Sequence, residues 1–479
     1  MLNSSIRVGL LVGALLVLAT EQAQADISWS GNYRIEAVKV KGAELDSNQH
    51  SKAYLLHHLV LQPKLVAADG INIYGRFDLL NSPVTDNNLA GQSFGTGPSS
   101  STGPQTAGAA NTPSNVFSDN QDFNSPLLVT QLYATWTQEF GVFVVGRAPL
   151  RFGLGMTYSD GSGLFDHYMT SRDMIGYKAV LGNLSVMPIL AKVNEGNLND
   201  EDDVNDYILN VQYDNPETDL SLGIMYQLRV ATRAGNDAPN DGSAGGGGAA
   251  STGVTEGFKS QNINVFTGQK WGNLALGLEG GFNSGDTGLK QTSGGGVKLN
   301  SYGVAADLTY ANPDSKWSYG TRAGIATGDD PGTPDTFEGF IFNRNYNVGM
   351  LLFNHPLGGG DHLRTGVVRN TTTAASNQID TEAVSNTMYL APGFQHRWKE
   401  NMTWGGTFVW ATAQAEAYPG MAKDLGYELD LNFTYKPYEK MRWITEIGMM
   451  SPGDAWKTGG VTFDNRFTYG ITTKAAITF

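Results

Sequence analysis

Apolar and polar side chains alternate one by one through segment after segment of this chain. In the final stretch, Phe467, Tyr469, Ile471, Thr473, Ala475, Ile477 and Phe479 share one face, and Thr468, Gly470, Thr472, Lys474, Ala476 and Thr478 share the other. That is the period of a β-strand. The even-numbered residues from Leu220 to Val230 alternate with Asp219 to Arg229 in the same way, as do the odd-numbered residues from Leu425 to Tyr435 with Gly426 to Thr434. Each segment has about the length of a tilted membrane-crossing strand, roughly 9–11 residues. A single segment of this kind carries little information, but a recurring series points to a transmembrane barrel.

Twenty segments are expected, from 28–40 to 467–479, with 346–354 and 362–369 among them. Their connections alternate between short and long. The short ones ("ADG", "QEFG", "GN", "DNPET", "WGN", "NPDSK", "HPLGGGD", "KEN" and "KPYEK") are mostly built from the Gly, Pro, Asn and Asp that tight turns require. The long ones include the 46 residues from Asn81 to Pro126 and the Gly-rich run around Gly242 to Ser251. Short turns on one rim and long loops on the other are expected of an antiparallel up-and-down barrel of about 18–20 strands in a bacterial outer membrane. An even count puts both chain ends on the short-turn rim.

The first 25 residues read as a secretory signal peptide: Arg7, an apolar run from Val8 to Ala19, and Ala23-Gln24-Ala25 before the cut at Asp26. The remaining 454 residues (479 minus 25) then form one barrel domain, 26–479. Sixty glycines, 10% aromatic and 16% charged residues suit strands and turns better than a helical enzyme. The chain has no cysteine, and its 32 basic against 46 acidic residues argue against nucleic acid as a partner. In hydrocarbon every backbone donor and acceptor must be paired, so the sheet has to close. The last strand therefore pairs with the first, near Ile27 to Ala37, and Phe479 is assigned to assembly as an interfacial aromatic. Trp29, Trp136, Trp271, Trp317, Trp398 and Trp443 fall near strand ends on the same rim, as a girdle would.

With these features the chain resembles Gram-negative outer-membrane porins. More narrowly, "VGRAPLRFGLG" (Val145 to Gly155) and Leu425 to Trp456 resemble segments of alginate-export-like barrels. The resemblance implies a pore for small hydrophilic solutes or an extended oligosaccharide, in contact with outer-membrane lipid, lipopolysaccharide and the assembly machinery. A surface barrel that binds a partner through its long loops is the alternative reading, and a barrel hydrolase is a third.

By alternation, Arg34, Glu36, Arg76, Asp78, Glu279, Asp307, Arg322, Arg364, Arg397, Glu428, Asp430, Arg442, Glu446 and Lys474 face the lumen. Charges of both signs there either select permeants or pair across strands and stiffen the wall. The acidic stretches Asn194 to Asp206 and Gly328 to Asp335 read as solvated loops, the first without the glycine turn and terminal glutamate of an EF-hand. No metal or other cofactor is expected. The seven histidines show no metal-type spacing, and "SDGSG" around Ser162 is not a nucleophile elbow. No enzymatic activity is expected.

Overall fold

The computed structural model describes residues 26–45, 50–80, 92–93, 127–194, 204–231, 258–290, 296–355, 357–358, 363, 383–417, 419–457 and 467–479. Residues 1–25, where a signal peptide is expected, almost all of 81–126, the run 242–251 and Arg364 lie outside them. Eighteen antiparallel strands form one closed wall, and two further strands of two residues each, Gln92–Ser93 and Thr336–Phe337, pair with wall strands. The wall strands run from 9 residues (Ile71–Leu79) to 18 (Ser51–Ala68).

Closure is made by the chain ends. Strand Asp26–Lys41 pairs antiparallel with Thr468–Thr478, with Asn32 opposite Thr478 and Lys41 opposite Tyr469. Beyond the last ladder pair, the Phe479 amide donates to the Gly31 carbonyl at 3.1 Å, and the Gly31 amide donates back at 3.3 Å. No edge is left in the seam, which satisfies the demand of hydrocarbon for paired backbone.

Period-2 alternation sorts the two faces. Outward residues such as Ile224, Ile175, Leu190 and Tyr427 are exposed on the barrel exterior, while their neighbours Met225, Met174, Ile189 and Glu428 are buried inside. The six tryptophans are all exposed, between 37% and 57%. Phe140, in a short turn, and Tyr438, at the end of its strand, extend the aromatic ring on this rim.

Two expected strands are not in the wall. Strand Trp317–Ala326 pairs directly with Thr387–Lys399, so the wall closes without 346–354 and 362–369. Residues 346–354 form turns and bends. Their amides are given to wall carboxylates and their apolar side chains are buried. Within 362–369 only residue 363 is described. "HPLGGGD" accordingly follows this inward segment instead of linking two wall strands. A smaller difference concerns Leu425. A register shift beside Ala411 and Thr412 turns it inward, where it is fully buried and its carbonyl accepts the Trp456 indole N–H at 3.0 Å.

Replacing Phe479 with Asp would set a charge at the seam, on an outward residue that is 48% exposed. The expected outcome is a marked loss of folded, heat-modifiable barrel in the outer membrane, and a normal yield would contradict this role for the terminal aromatic.

Candidate functional site: a lumen narrowed by two inward loops

The lumen of a wide transmembrane β-barrel is expected to be polar and wet, yet this one contains apolar clusters. The first joins Leu150, Phe152 and Tyr158 to Met174, Ile189, Ile208 and Met225 of the wall. The second gathers Phe340, Phe342, Leu351, Leu352, Phe353 and Trp456 against Val409, Ala411 and Leu425. The nonstrand members come mainly from two long-rim connections, 150–170 and 327–357, that fold down into the barrel. Burying each large apolar side chain contributes roughly 1.5–3 kcal/mol, so these clusters supply most of the holding energy.

Wall carboxylates fix where each loop sits. Glu279 accepts the Met156 amide at 3.1 Å and the Thr157 amide at 3.3 Å. Glu428 accepts the Leu351 and Leu352 amides, both at 2.7 Å, and Asp430 accepts the Met350 amide at 3.0 Å. A buried carboxylate without donors would be strongly unfavourable; here the loop backbone provides them. Each contact also places a glycine of the loop against the carboxylate. A Cβ on Gly153 would lie 2.7 Å from Glu279 Oε2, and one on Gly349 would lie 2.8 Å from Glu428 Oε2. Gly153 has a φ of +49° as well, so backbone conformation and close approach both call for glycine.

The basic residues hold the other end of loop 150–170. Arg34 donates to the Asp166 carbonyl at 2.6 Å and pairs with Glu36 at 3.1 Å, while His167 Nε2 lies 3.1 Å from Glu36 Oε2. Arg76 donates to the Gly161 carbonyl at 2.8 Å and pairs with Asp78, which also meets His58 at 3.0 Å. The two loops are tied together as well. Asn345 accepts the His167 and Tyr168 amides at 3.2 and 3.1 Å, and the Arg344 guanidinium lies 4.2 Å from the Tyr168 ring centroid.

The sequence-predicted lumen residues thus divide into groups. Arg34, Glu36, Arg76, Asp78, Glu279, Glu428 and Asp430 face inward and are buried beneath the loops. Asp307, Arg322, Arg397, Arg442, Glu446 and Lys474 also face inward, lie lower in the wall or beside the seam, and are more open. Asp307 meets Arg322 at 3.5 Å, and Lys474 meets Glu446 at 2.9 Å. Arg397 reaches the Pro313 and Ser315 carbonyls in a short turn, each at 3.4 Å. Sequence reasoning missed a third ionic group: buried Asp206 bridges Arg172 at 2.9 Å and Arg229 at 2.7 Å. Arg229 sits on the inward parity of its strand, which was the available signal. In the acidic stretch Gly328 to Asp335, Asp329 and Asp330 accept backbone amides of Glu338 and Gly332 at 3.2 and 2.7 Å. Among the described residues no group of three metal-ligating side chains is found.

Below loop 327–357, on the short-turn half of the lumen, a cavity of about 370 Å³ remains. Val348 of the loop lines it, and two of its wall residues are tied to the adjoining loop residues: Asp307 accepts the Tyr346 hydroxyl at 2.6 Å and Arg322 donates to the Asn347 carbonyl. Burial, reinforced by neighbouring Tyr389 and Asp307, pushes the Tyr346 hydroxyl pKa up and keeps it a donor.

Two tests follow for loop docking. Hydrogen bonds to charged groups contribute roughly 1.5–3 kcal/mol each, so Glu428→Gln combined with Asp430→Asn should raise the undocked population about tenfold or more. Single-channel records should then show frequent larger openings; unchanged records would mean these bonds do not hold the loop. The second test is pH. His355 donates its amide to the Leu351 carbonyl at 3.0 Å, and burial, with Lys474, Lys52 and His167 adding like charge, lowers its imidazole from 6.5 to about 4. The undocked imidazole takes a proton near its ordinary pKa, the docked one only near the lowered value. Docking should therefore lose support as pH falls through that window. Larger openings should appear on acidification in the parent and be reduced in His355→Gln.

Neither a protein-family model nor a curated protein sequence matches the chain. Solved structures do match. OccK2 (OpdF) of Pseudomonas aeruginosa, solved in complex with glucuronate, is 10% identical with a TM-score of 0.50, covering 95% of this chain and 98% of that one. OccK8 (OprE) of the same organism is 11% identical with a TM-score of 0.50 over 95% and 98%, and OccK9 (OpdG) is 12% identical with a TM-score of 0.50 over 95% and 99%. The chain is similar to these barrels over 95% of its length and has the closed antiparallel β-barrel fold of outer-membrane porins.

Proposed function

We propose that this protein is an outer-membrane porin that passes small hydrophilic solutes, and that it transports without catalysis. One observation carries the reading: the lumen is narrowed by docked loops, yet below them it keeps a polar cavity lined by inward wall residues. A barrel serving only as a surface anchor has no need of such a lining. The narrowing favours small solutes over an extended oligosaccharide, which would need both loops to withdraw. Outer-membrane lipid and lipopolysaccharide would contact the apolar exterior, and the assembly machinery would receive the strand that ends at Phe479. The glucuronate in OccK2 shows that a barrel of this fold holds a small polar solute, which supports the reading by analogy of fold alone.

The open cations of the short-turn half would set ion selectivity. Arg322, Arg397 and Arg442 face inward on that half; Arg322 is paired with Asp307, so anion enrichment, limited by salt screening, falls mainly to Arg397 and Arg442. Purified protein in a planar bilayer should conduct, and replacing the three with Gln should shift the reversal potential in a salt gradient toward cations. Unchanged selectivity would assign the arginines to the wall. Absence of conductance in the parent protein would remove the porin reading and favour a barrel that binds a partner through its long loops.

A further inference from the structure

We infer that the cavity beside Val348 is a binding site for an uncharged, polyhydroxylated solute, a sugar or polyol, an inference that rests on the porin reading. Its volume of about 370 Å³ falls in the range of small-molecule pockets, roughly 300–1,000 Å³. The lining combines neutral amides and hydroxyls. The buried ionic groups of the lumen are tied to one another, as Asp206 is to its two arginines. Here Thr309, Gln395, Thr407 and Asn432 line the cavity and make no side-chain hydrogen bond to any described residue.

The charges that line the cavity are already matched. Asp307 meets Arg322 and accepts the Tyr346 hydroxyl; Arg322 also donates to the Asn347 carbonyl and lies over the Tyr346 ring at 5.6 Å. An ionised solute entering the cavity would lose hydration and find no uncompensated counter-charge among the residues that line it. A hydroxyl group, both donor and acceptor, is matched by the amides of Gln395 and Asn432, which offer both functions, and by the hydroxyls of Thr309 and Thr407. Such a solute exchanges hydrogen bonds to water for hydrogen bonds to the wall at little net desolvation cost.

The test uses the purified full chain, with maltose and glucuronate as probes. In a planar bilayer, maltose should reduce the ionic current in a saturable way, and glucuronate should need at least about tenfold more. Isothermal titration calorimetry in detergent measures the same preference without a conducting pore. Asn432→Leu combined with Gln395→Leu removes the two amides. At roughly 1 kcal/mol per hydrogen bond it should weaken maltose binding about tenfold or more, in a barrel that still shows heat-modifiable migration. Equal affinity for both probes, or maltose binding untouched by the double variant, would overturn the site. If the parent does not conduct, calorimetry still decides: maltose binding then keeps the site and rejects the porin reading, and no binding rejects the site.

Discussion

Every backbone N–H and C=O that faces hydrocarbon needs a partner, because none is available from water. The barrel follows from that single demand. It explains why the strands form one closed sheet, why the terminal strand pairs with the first, and why Phe479 and Gly31 exchange amide bonds beyond the last ladder pair. It also explains the alternation of side chains. Once the wall is closed, one face of each strand meets lipid and the other meets the lumen, so the sequence must repeat with period two.

The lumen has the opposite requirement: an open tube of this width would leave its interior unselective. This chain narrows it with two loops whose apolar side chains build a core inside the barrel. The carboxylates of Glu279, Glu428 and Asp430 give that core a defined position, because each is buried and each needs the amides that a correctly placed loop supplies. Apolar burial provides the larger share of the energy, and the carboxylate contacts determine the register. The loops are consequently held to the wall at separate points, loop 150–170 by Glu279 and the Arg34 and Arg76 groups, and loop 327–357 by Glu428 and Asp430.

The wall was legible because strand period, turn composition and terminal aromatics are local signals. The inward loops were not, and the reason is physical. A loop that docks in an apolar cluster carries the same residue types as a strand, so 346–354 was expected in the wall. Two signs stood against that expectation. Met350, Leu351, Leu352 and Phe353 are four consecutive apolar residues, which a strand with one polar face does not tolerate. Glu428 and Asp430 stand two apart on one inward face, a like-charge pair that needs donors from elsewhere. The same limit applies to the predicted lumen charges: alternation tells which side of the wall a residue faces, but not whether a loop covers it. The cavity lining of Thr309, Gln395, Thr407 and Asn432 carries no charge, and neutral amides and hydroxyls on an inward face look the same in sequence whether or not they share a cavity.

The central claim is that loop backbone is bonded to wall carboxylates inside the barrel, and amide hydrogen exchange on the folded protein reads it directly. The amides of Met156, Thr157, Met350, Leu351 and Leu352 should exchange slowly, with protection approaching that of wall strands such as Asp424–Tyr438. Exchange at the rate of solvent-exposed loops would show that these segments are not docked and that the lumen is open.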